Sequence, residues 1–273
     1  MTENASTDHW TDPLRRFDRY LSSAGIARST RQLRHHQLRR AARWLACAPH
    51  EVTYERLERY VGHAAWKPST RRNARAALRV FFAWALVRGL VESDPAAALP
   101  SVRVPTGTPR PAPDHSLKSG LRWADSRVEL MIRLAAHAGL RCVEIAAVRP
   151  RDVETDMVGS SLRVVGKGSR VRLVPLPDDL AAIVRNHDGE WLFPGQIDGH
   201  LSAAYVSKLV SQALPEGVTA HMLRHRYATR AYAAERDLLA VQRLLGHASV
   251  ATTQVYTRVP DGALRSAALA AAA

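Results

Sequence analysis

Residues 221–258 read HMLRHRYATRAYAAERDLLAVQRLLGHASVATTQVYTR, from His221 to Arg258. Two short polar clusters and a lone tyrosine are set here among ordinary helix-forming residues. His221 and Arg224 are three positions apart and share one face of a helix. Gly246 marks a helix end, where a loop can present the following His247. Tyr256 comes nine residues after that histidine. Arginine grips phosphate oxygens through a planar fork, histidine donates or shuttles a proton, and tyrosine can be a nucleophile. Together they suggest phosphate chemistry.

Two stretches upstream add to the set. AGLRCVEIAAV, residues 138–148, ends one helix at Gly139 and starts another at Arg141, with Glu144 three positions on and on the same face. VVGKGSRVRLVPLP, residues 164–177, puts Lys167 between two glycines on a hairpin turn. Val171 and Leu173 alternate there with Arg170 and Arg172, as in a period-2 strand with one polar face. A nucleotide-binding P-loop would need Gly-x4-Gly-Lys-Ser/Thr, and Gly168 follows the lysine instead. His221 and His225 have the i,i+4 spacing of zinc ligands, but Met222 stands where a zinc protease helix has its glutamate.

These four stretches, in this order, resemble the boxes of the tyrosine recombinases, the phage integrase family. The resemblance covers roughly residues 125–258. It implies a catalytic set of Arg141, Lys167, His221, Arg224, His247 and Tyr256, with Glu144 as a supporting acid that holds the basic residues in place. The implied reaction opens a DNA strand as a 3′-phosphotyrosyl bond, frees a 5′-hydroxyl, and rejoins strands without ATP. Its physical logic is clear. A phosphodiester repels an attacking anion until its charge is offset, and paired guanidiniums can do this without a metal while stabilising the transition state. A phenol near pKa 10 needs help to lose its proton; clustered cations and a nearby histidine supply it. Lys167 on a flexible tip can protonate the leaving oxygen as general acid. No metal and no cofactor are expected.

Composition points the same way. The formal net charge is +14, with a pI near 10.7, which favours a polyanionic partner. No apolar run approaches a bilayer span, and the N-terminus, MTENASTDHW, is polar and acidic. Cys47 and Cys142 lie in separate helical patterns, so a disulfide framework is not expected and a reducing cytoplasm is the natural home.

In chain order, residues 1–12 are expected to be a disordered lead. Residues 13–98 read as a mainly α, four-helix DNA-binding unit, the core-binding domain of the resembled family. Its helix at 29–46 follows Arg28 and carries Arg31, Arg34, Arg39, Arg40 and Arg43, with no acidic residue over 28–43. Another helix, from about Ser69, carries Arg71, Arg72, Arg75 and Arg79. A merely solvated face would intersperse acids for pairing, so both helices are expected to face DNA. Residues 99–115, LPSVRVPTGTPRPAPDH, hold five prolines and read as an extended linker, suiting two basic domains that close on DNA as a clamp. Residues 116–258 read as a catalytic domain, mostly helical with one small antiparallel sheet. Residues 259–273, an alanine-rich tail too short to be a stable lone helix, are expected to dock in trans on a neighbour.

The resemblance implies double-stranded DNA at paired sites as partner, a monomer in solution, and a homotetramer passing through a Holliday junction, with an accessory directionality factor in some members. The chain begins almost directly at its first core-binding helix, as in arm-less phage integrases or Xer-type resolvases; phage integration and excision is the expectation, with chromosome or plasmid dimer resolution as the alternative. A type IB topoisomerase and a non-catalytic DNA-binding protein are the remaining readings.

Overall fold

The structure, a computed structural model, describes residues 5–63, 65–105, 110–166, 170–196 and 198–246, with side chains from His9 onward. The chain divides into two units, Met1–Gly107 and Thr108–Ala273. Each has its own apolar core.

The first unit is built from α1 (Ala5–Ser23), α2 (Arg28–Leu45), α3 (Tyr54–Val61) and α4 (Pro68–Val87). On α1, Trp10, Leu14, Phe17 and Leu21 recur at three- and four-residue spacing and are all buried. Trp10 stacks on Phe81 with centroids 5.2 Å apart, and its indole N–H donates to the Cys47 carbonyl at 2.8 Å. The expected disordered lead is therefore corrected over residues 5–12: the described helix α1 starts at Ala5 and runs through Pro13. Proline in a helix interior costs about 3 kcal/mol. A buried tryptophan contributes about 3–5 kcal/mol over alanine, which offsets that loss. The helix α3 starts as its sequence suggests, with the Thr53 hydroxyl accepting from the Arg56 N–H at 3.4 Å.

The proline-rich stretch is anchored at both ends, which shifts the expected boundaries of 99–115. Leu99 is buried in the first core and Val102 packs against it. Ala112 is buried in the second core, and its N–H donates to the Met222 carbonyl at 2.9 Å. The residue thus lies two positions ahead of α5 (Asp114–Trp123) and already belongs to the second unit.

That unit continues with α6 (Ser126–His137), α7 (Cys142–Ala146), β1 (Val153–Thr155), β2 (Ser160–Val165) and β3 (Val171–Pro175). After the strands come α8 (Asp178–Arg185), α9 (Ala203–Ala213), α10 (Ala220–Glu235) and α11 (Leu238–Leu245). The sheet is antiparallel in the order β1-β2-β3, with Leu162 opposite Val174 and Val164 opposite Arg172. Leu162, Val164 and Val174 are buried, so their face of the sheet meets the core. Strand β3 inverts the polarity its alternation suggests. Val171 and Leu173 are exposed, and Arg172 shares the inward face with Val174, its side chain only 10% exposed. The reason is a buried carboxylate that takes up the arginine's charge.

Candidate active site

Glu144 is that carboxylate. It lies in the first turn of α7, with 2% of its side chain exposed. Its Oε2 accepts the Arg141 backbone N–H at 2.8 Å, which satisfies an orphan donor at the start of α7. Three guanidiniums surround it. Arg141 Nη1 donates to Oε1 at 2.9 Å. Arg172 binds bidentately, Nη1 to Oε1 and Nη2 to Oε2, both at 2.9 Å. Arg224 Nη1 lies 3.6 Å from Oε2. Burial alone would raise the Glu144 pKa. The Arg172 hydrogen bonds, the Arg141 N–H and the charges of Arg172 and Arg224 outweigh it and hold the carboxyl below its ordinary value. One carboxylate among three guanidiniums leaves two positive charges in excess, which suits a phosphodiester and the further charge of its transition state.

Arg224, on α10, is 1% exposed. Its Nη1 donates to the Gly139 carbonyl and its Nη2 to the Leu245 carbonyl at 2.7 Å. Gly139 has φ +63°, and a Cβ built on it would overlap the Tyr227 ring at Cδ1. Only glycine allows both the left-handed turn after α6 and the close approach of α10. The Gly-Leu-Arg motif thereby delivers Arg141 to the N-cap of α7 beside Arg224. Arg141 is the more accessible arginine, its side chain 37% exposed.

His221 is exposed near the start of α10, and its ring lies edge-on to that of His225, centroids 4.1 Å apart. Both pKa values are lowered. For His221 the cause is loss of hydration, then the charges of Arg224 and Arg141. His225 is pushed down to about 4 by loss of hydration, then by His221 and Arg224. Both rings are therefore neutral at pH 7, the form that can accept a proton. Among the described residues, no three His, Cys, Asp or Glu side chains group as a metal site.

The structure thus brings together Arg141, Glu144, His221 and Arg224. Lys167, His247 and Tyr256 lie outside the described residues, as does the tail. Gly166 and Gly246, the chain neighbours of Lys167 and His247, lie beside the cluster. A Cβ built on Gly166 would lie 3.7 Å from Arg172 Nη1 and 3.9 Å from Glu144 Oε1, and one on Gly246 3.0 Å from Arg172 Cδ. Arg172 is a site residue that the sequence pattern does not single out, where it reads only as one position on the polar face of a strand. The signal available was its spacing: two positions before Val174, it must share that residue's face.

The arginines expected on DNA divide by surroundings. Arg28, Arg39, Arg43, Arg72 and Arg79 are exposed. Arg34 is half-buried, and Arg31, also half-buried, pairs with Asp18 at 2.9 Å. Arg71 donates to the His63 carbonyl at 3.1 Å. Arg75 points both Nε and Nη2 at the Leu99 carbonyl, at 2.9 and 2.7 Å, and so fastens the exit of the first unit. Arg40 lies over the Trp66 ring at 3.8 Å.

Comparison with known proteins identifies the relatives of this chain. The profile described as Phage integrase family matches residues 117–262, more than half of the chain, and that of the phage integrase N-terminal SAM-like domain matches residues 14–92. Tyrosine recombinase XerC of Xanthomonas axonopodis pv. citri is 34% identical over 205 residues, covering 67% of this chain and 65% of that protein. XerC of Neisseria gonorrhoeae is 35% identical over 204 residues, covering 67% and 66%. The chain thus spans just under two thirds of the length of these relatives. A lambda integrase dimer bound to a COC′ core site has the same fold, with a TM-score of 0.71 at 20% identity, covering 92% of this chain and 78% of that one. The four-helix unit followed by a mostly helical domain with a small antiparallel sheet is that of a member of the phage integrase family, to which this chain belongs.

Proposed function

We propose that the protein is a site-specific DNA recombinase that cleaves and rejoins strands through a 3′-phosphotyrosyl intermediate. The observation that carries this reading is the Glu144 cluster, which turns Arg141 and Arg224 toward one site with a net excess of positive charge. In this reading Arg141 and Arg224 clamp the scissile phosphate and stabilise its transition state. Tyr256 attacks, neutral His221 accepts a hydrogen bond or proton, His247 donates to a non-bridging oxygen, and Lys167 protonates the leaving 5′-oxygen. Exposed arginines on α2 and α4 hold the duplex. The working form is a tetramer on paired sites, with residues 259–273 docked in trans, acting on DNA in the cytoplasm. Phage integration and excision is the role we assign.

A second role, resolution of chromosome or plasmid dimers, is favoured by one observation: the curated relatives at 34–35% identity are XerC proteins. The two roles share the chemistry and differ in the DNA acted on.

The test is direct. Wild-type protein is used to select its binding sequence from a random duplex pool, and a nicked suicide duplex is built on the result. Wild type should form a covalent protein–DNA adduct stable to denaturant; Tyr256→Phe should bind equally well and form none. An adduct of undiminished yield from Tyr256→Phe removes that residue from the role. Relaxation of a plasmid lacking the selected site would instead support a topoisomerase.

A further inference from the structure

We propose that Arg172 is a positioning residue for strand cleavage, holding the end of α11, from which the nucleophile-bearing segment runs, against the carboxylate that aligns Arg141 and Arg224. This rests on the recombinase reading above.

Arg172 uses its guanidinium at three points. Nη1 and Nη2 grip the two oxygens of Glu144, and Nε donates to the Leu244 carbonyl at 2.8 Å. Leu244 lies in the last turn of α11, where carbonyls have no partner within the helix. Arg224 takes the next carbonyl, that of Leu245. Two arginines anchored on one carboxylate therefore cap one helix end. Just beyond, Gly246 adopts φ +62° and packs so closely on Arg172 that a Cβ there would lie 3.0 Å from Cδ and 3.1 Å from Nη1. The chain then continues through His247 to Tyr256. A change in the Arg172 grip shifts the point from which that segment departs.

The geometry requires arginine. Lysine offers a single charged nitrogen and cannot bind both Glu144 oxygens and the Leu244 carbonyl from a fixed fork. Arg172 does not itself meet DNA phosphate in this scheme: its side chain is 10% exposed and its three bonds point into the protein. Its effect is on alignment, and small misalignments of reacting groups cost rate steeply, on the order of 100-fold per ångström.

There is one competing account. Arg172 also lies beside Gly166, the residue before Lys167, where a Cβ would come within 3.7 Å of its Nη1, so it could act by placing the general acid. Chemistry separates the two. A substrate whose leaving 5′-oxygen is replaced by sulfur expels a thiolate, which needs no proton. Loss of a general acid is rescued by that substitution, and misplacement of the nucleophile is not.

The experiment uses the full chain and the suicide duplex described above, with oxygen or bridging sulfur at the leaving position. Thermal unfolding, binding of a single site and single-turnover adduct formation are measured for wild type, Arg172→Lys and Arg172→Ala. Arg172→Lys should bind the site within about 3-fold of wild type, keep a cooperative unfolding transition, and cleave roughly 10- to 100-fold more slowly, with the same deficit on the sulfur substrate. Recovery of wild-type rate on the sulfur substrate overturns the proposal in favour of the hairpin. An unchanged rate on the oxygen substrate overturns it outright. Should the Arg172 variants not fold, Gly246→Ala presses a methyl onto the same guanidinium, and the same outcomes apply. A wild type that forms no adduct at all refutes the recombinase reading instead, so the two failures are distinct.

Discussion

Arg224 donates a 2.7 Å hydrogen bond to the Leu245 carbonyl, joining the helix that carries it to the end of the helix that follows. The same guanidinium reaches the Gly139 carbonyl and lies 3.6 Å from Glu144. Arg224, to which we assign phosphate binding, is thereby also the cap of α11 and a strut between three segments. Its substitution removes a charge from the site and loosens the frame together, so loss of activity on truncating it measures both.

Glu144 gives the cleaner probe of the frame. Glu144→Gln keeps its shape and removes the charge that three guanidiniums share. Breaking one partner out of a buried ionic set costs about 3–5 kcal/mol, which urea unfolding at pH 7 should register. The pH dependence has a definite sign. The folded-state pKa is below the ordinary carboxyl value, so this stabilisation is fully present above the unfolded-state pKa and is lost as pH falls through the folded one. The stability gap between wild type and Glu144→Gln should therefore narrow below about pH 4. A gap that stays constant into acid would mean that the carboxyl is not ionised in the fold.

His225 acts in a neighbouring pH window. Its pKa, pushed down to about 4, lies below the ordinary histidine value near 6.5. Between these values the unfolded chain binds more protons than the folded one, so stability rises with pH there and falls as the solution is acidified from 7 to 5. Replacing His225 with glutamine should flatten that slope. NMR titration should find the wild-type ring neutral down to about pH 5; a His225 titrating near 6.5 would contradict the edge-on, desolvated pairing with His221.

How much of this was legible in the sequence depends on which contacts are local. Arg141 and Glu144, or His221 and Arg224, are one helical turn apart, so spacing alone placed each pair on a face. Arg172 meets Glu144 across 28 residues and Leu244 across 72, and no short-range pattern reports such a contact. The alternation of Arg170 to Leu173 was visible, but which side faced inward was decided by a distant carboxylate. Trp10 was missed for another reason. It stands in a polar stretch, and only its place four residues before Leu14 connects it to the apolar stripe. Likewise, counting arginines on α4 could not separate those facing water from Arg75, whose acceptor is the carbonyl of Leu99, 24 residues on.

Gly139 should not tolerate a side chain. In Gly139→Ala the backbone would be held at a left-handed φ, costing about 1–2 kcal/mol, and the new methyl would meet the Tyr227 ring. Overpacking of this kind adds about 1–3 kcal/mol. The carbonyl that accepts from Arg224 would shift with it, so adduct formation should fall further than site binding. Tyr227→Ala has a packing cost of its own, so the double variant should be destabilised by less than the sum of the two single changes. Strict additivity of the two would show that the ring contact is immaterial.

The arginines of α4 should divide into two functional kinds. Arg72 and Arg79 are exposed, whereas Arg75 places two donors on one backbone carbonyl that pins the chain as it leaves the first unit. If the exposed pair contact phosphates, each alanine replacement should lower the slope of log affinity against log salt by about 0.9, while the melting temperature stays put. Arg75→Ala should behave oppositely. It leaves the carbonyl of buried Leu99 without its charged donors and costs about 1–3 kcal/mol of stability, with little change in the salt slope. Measuring melting temperature and salt-dependent binding for the double variant Arg72→Ala/Arg79→Ala beside Arg75→Ala separates the roles. A full loss of slope in Arg75→Ala with unchanged melting would place that residue on the DNA and make its bond to Leu99 incidental.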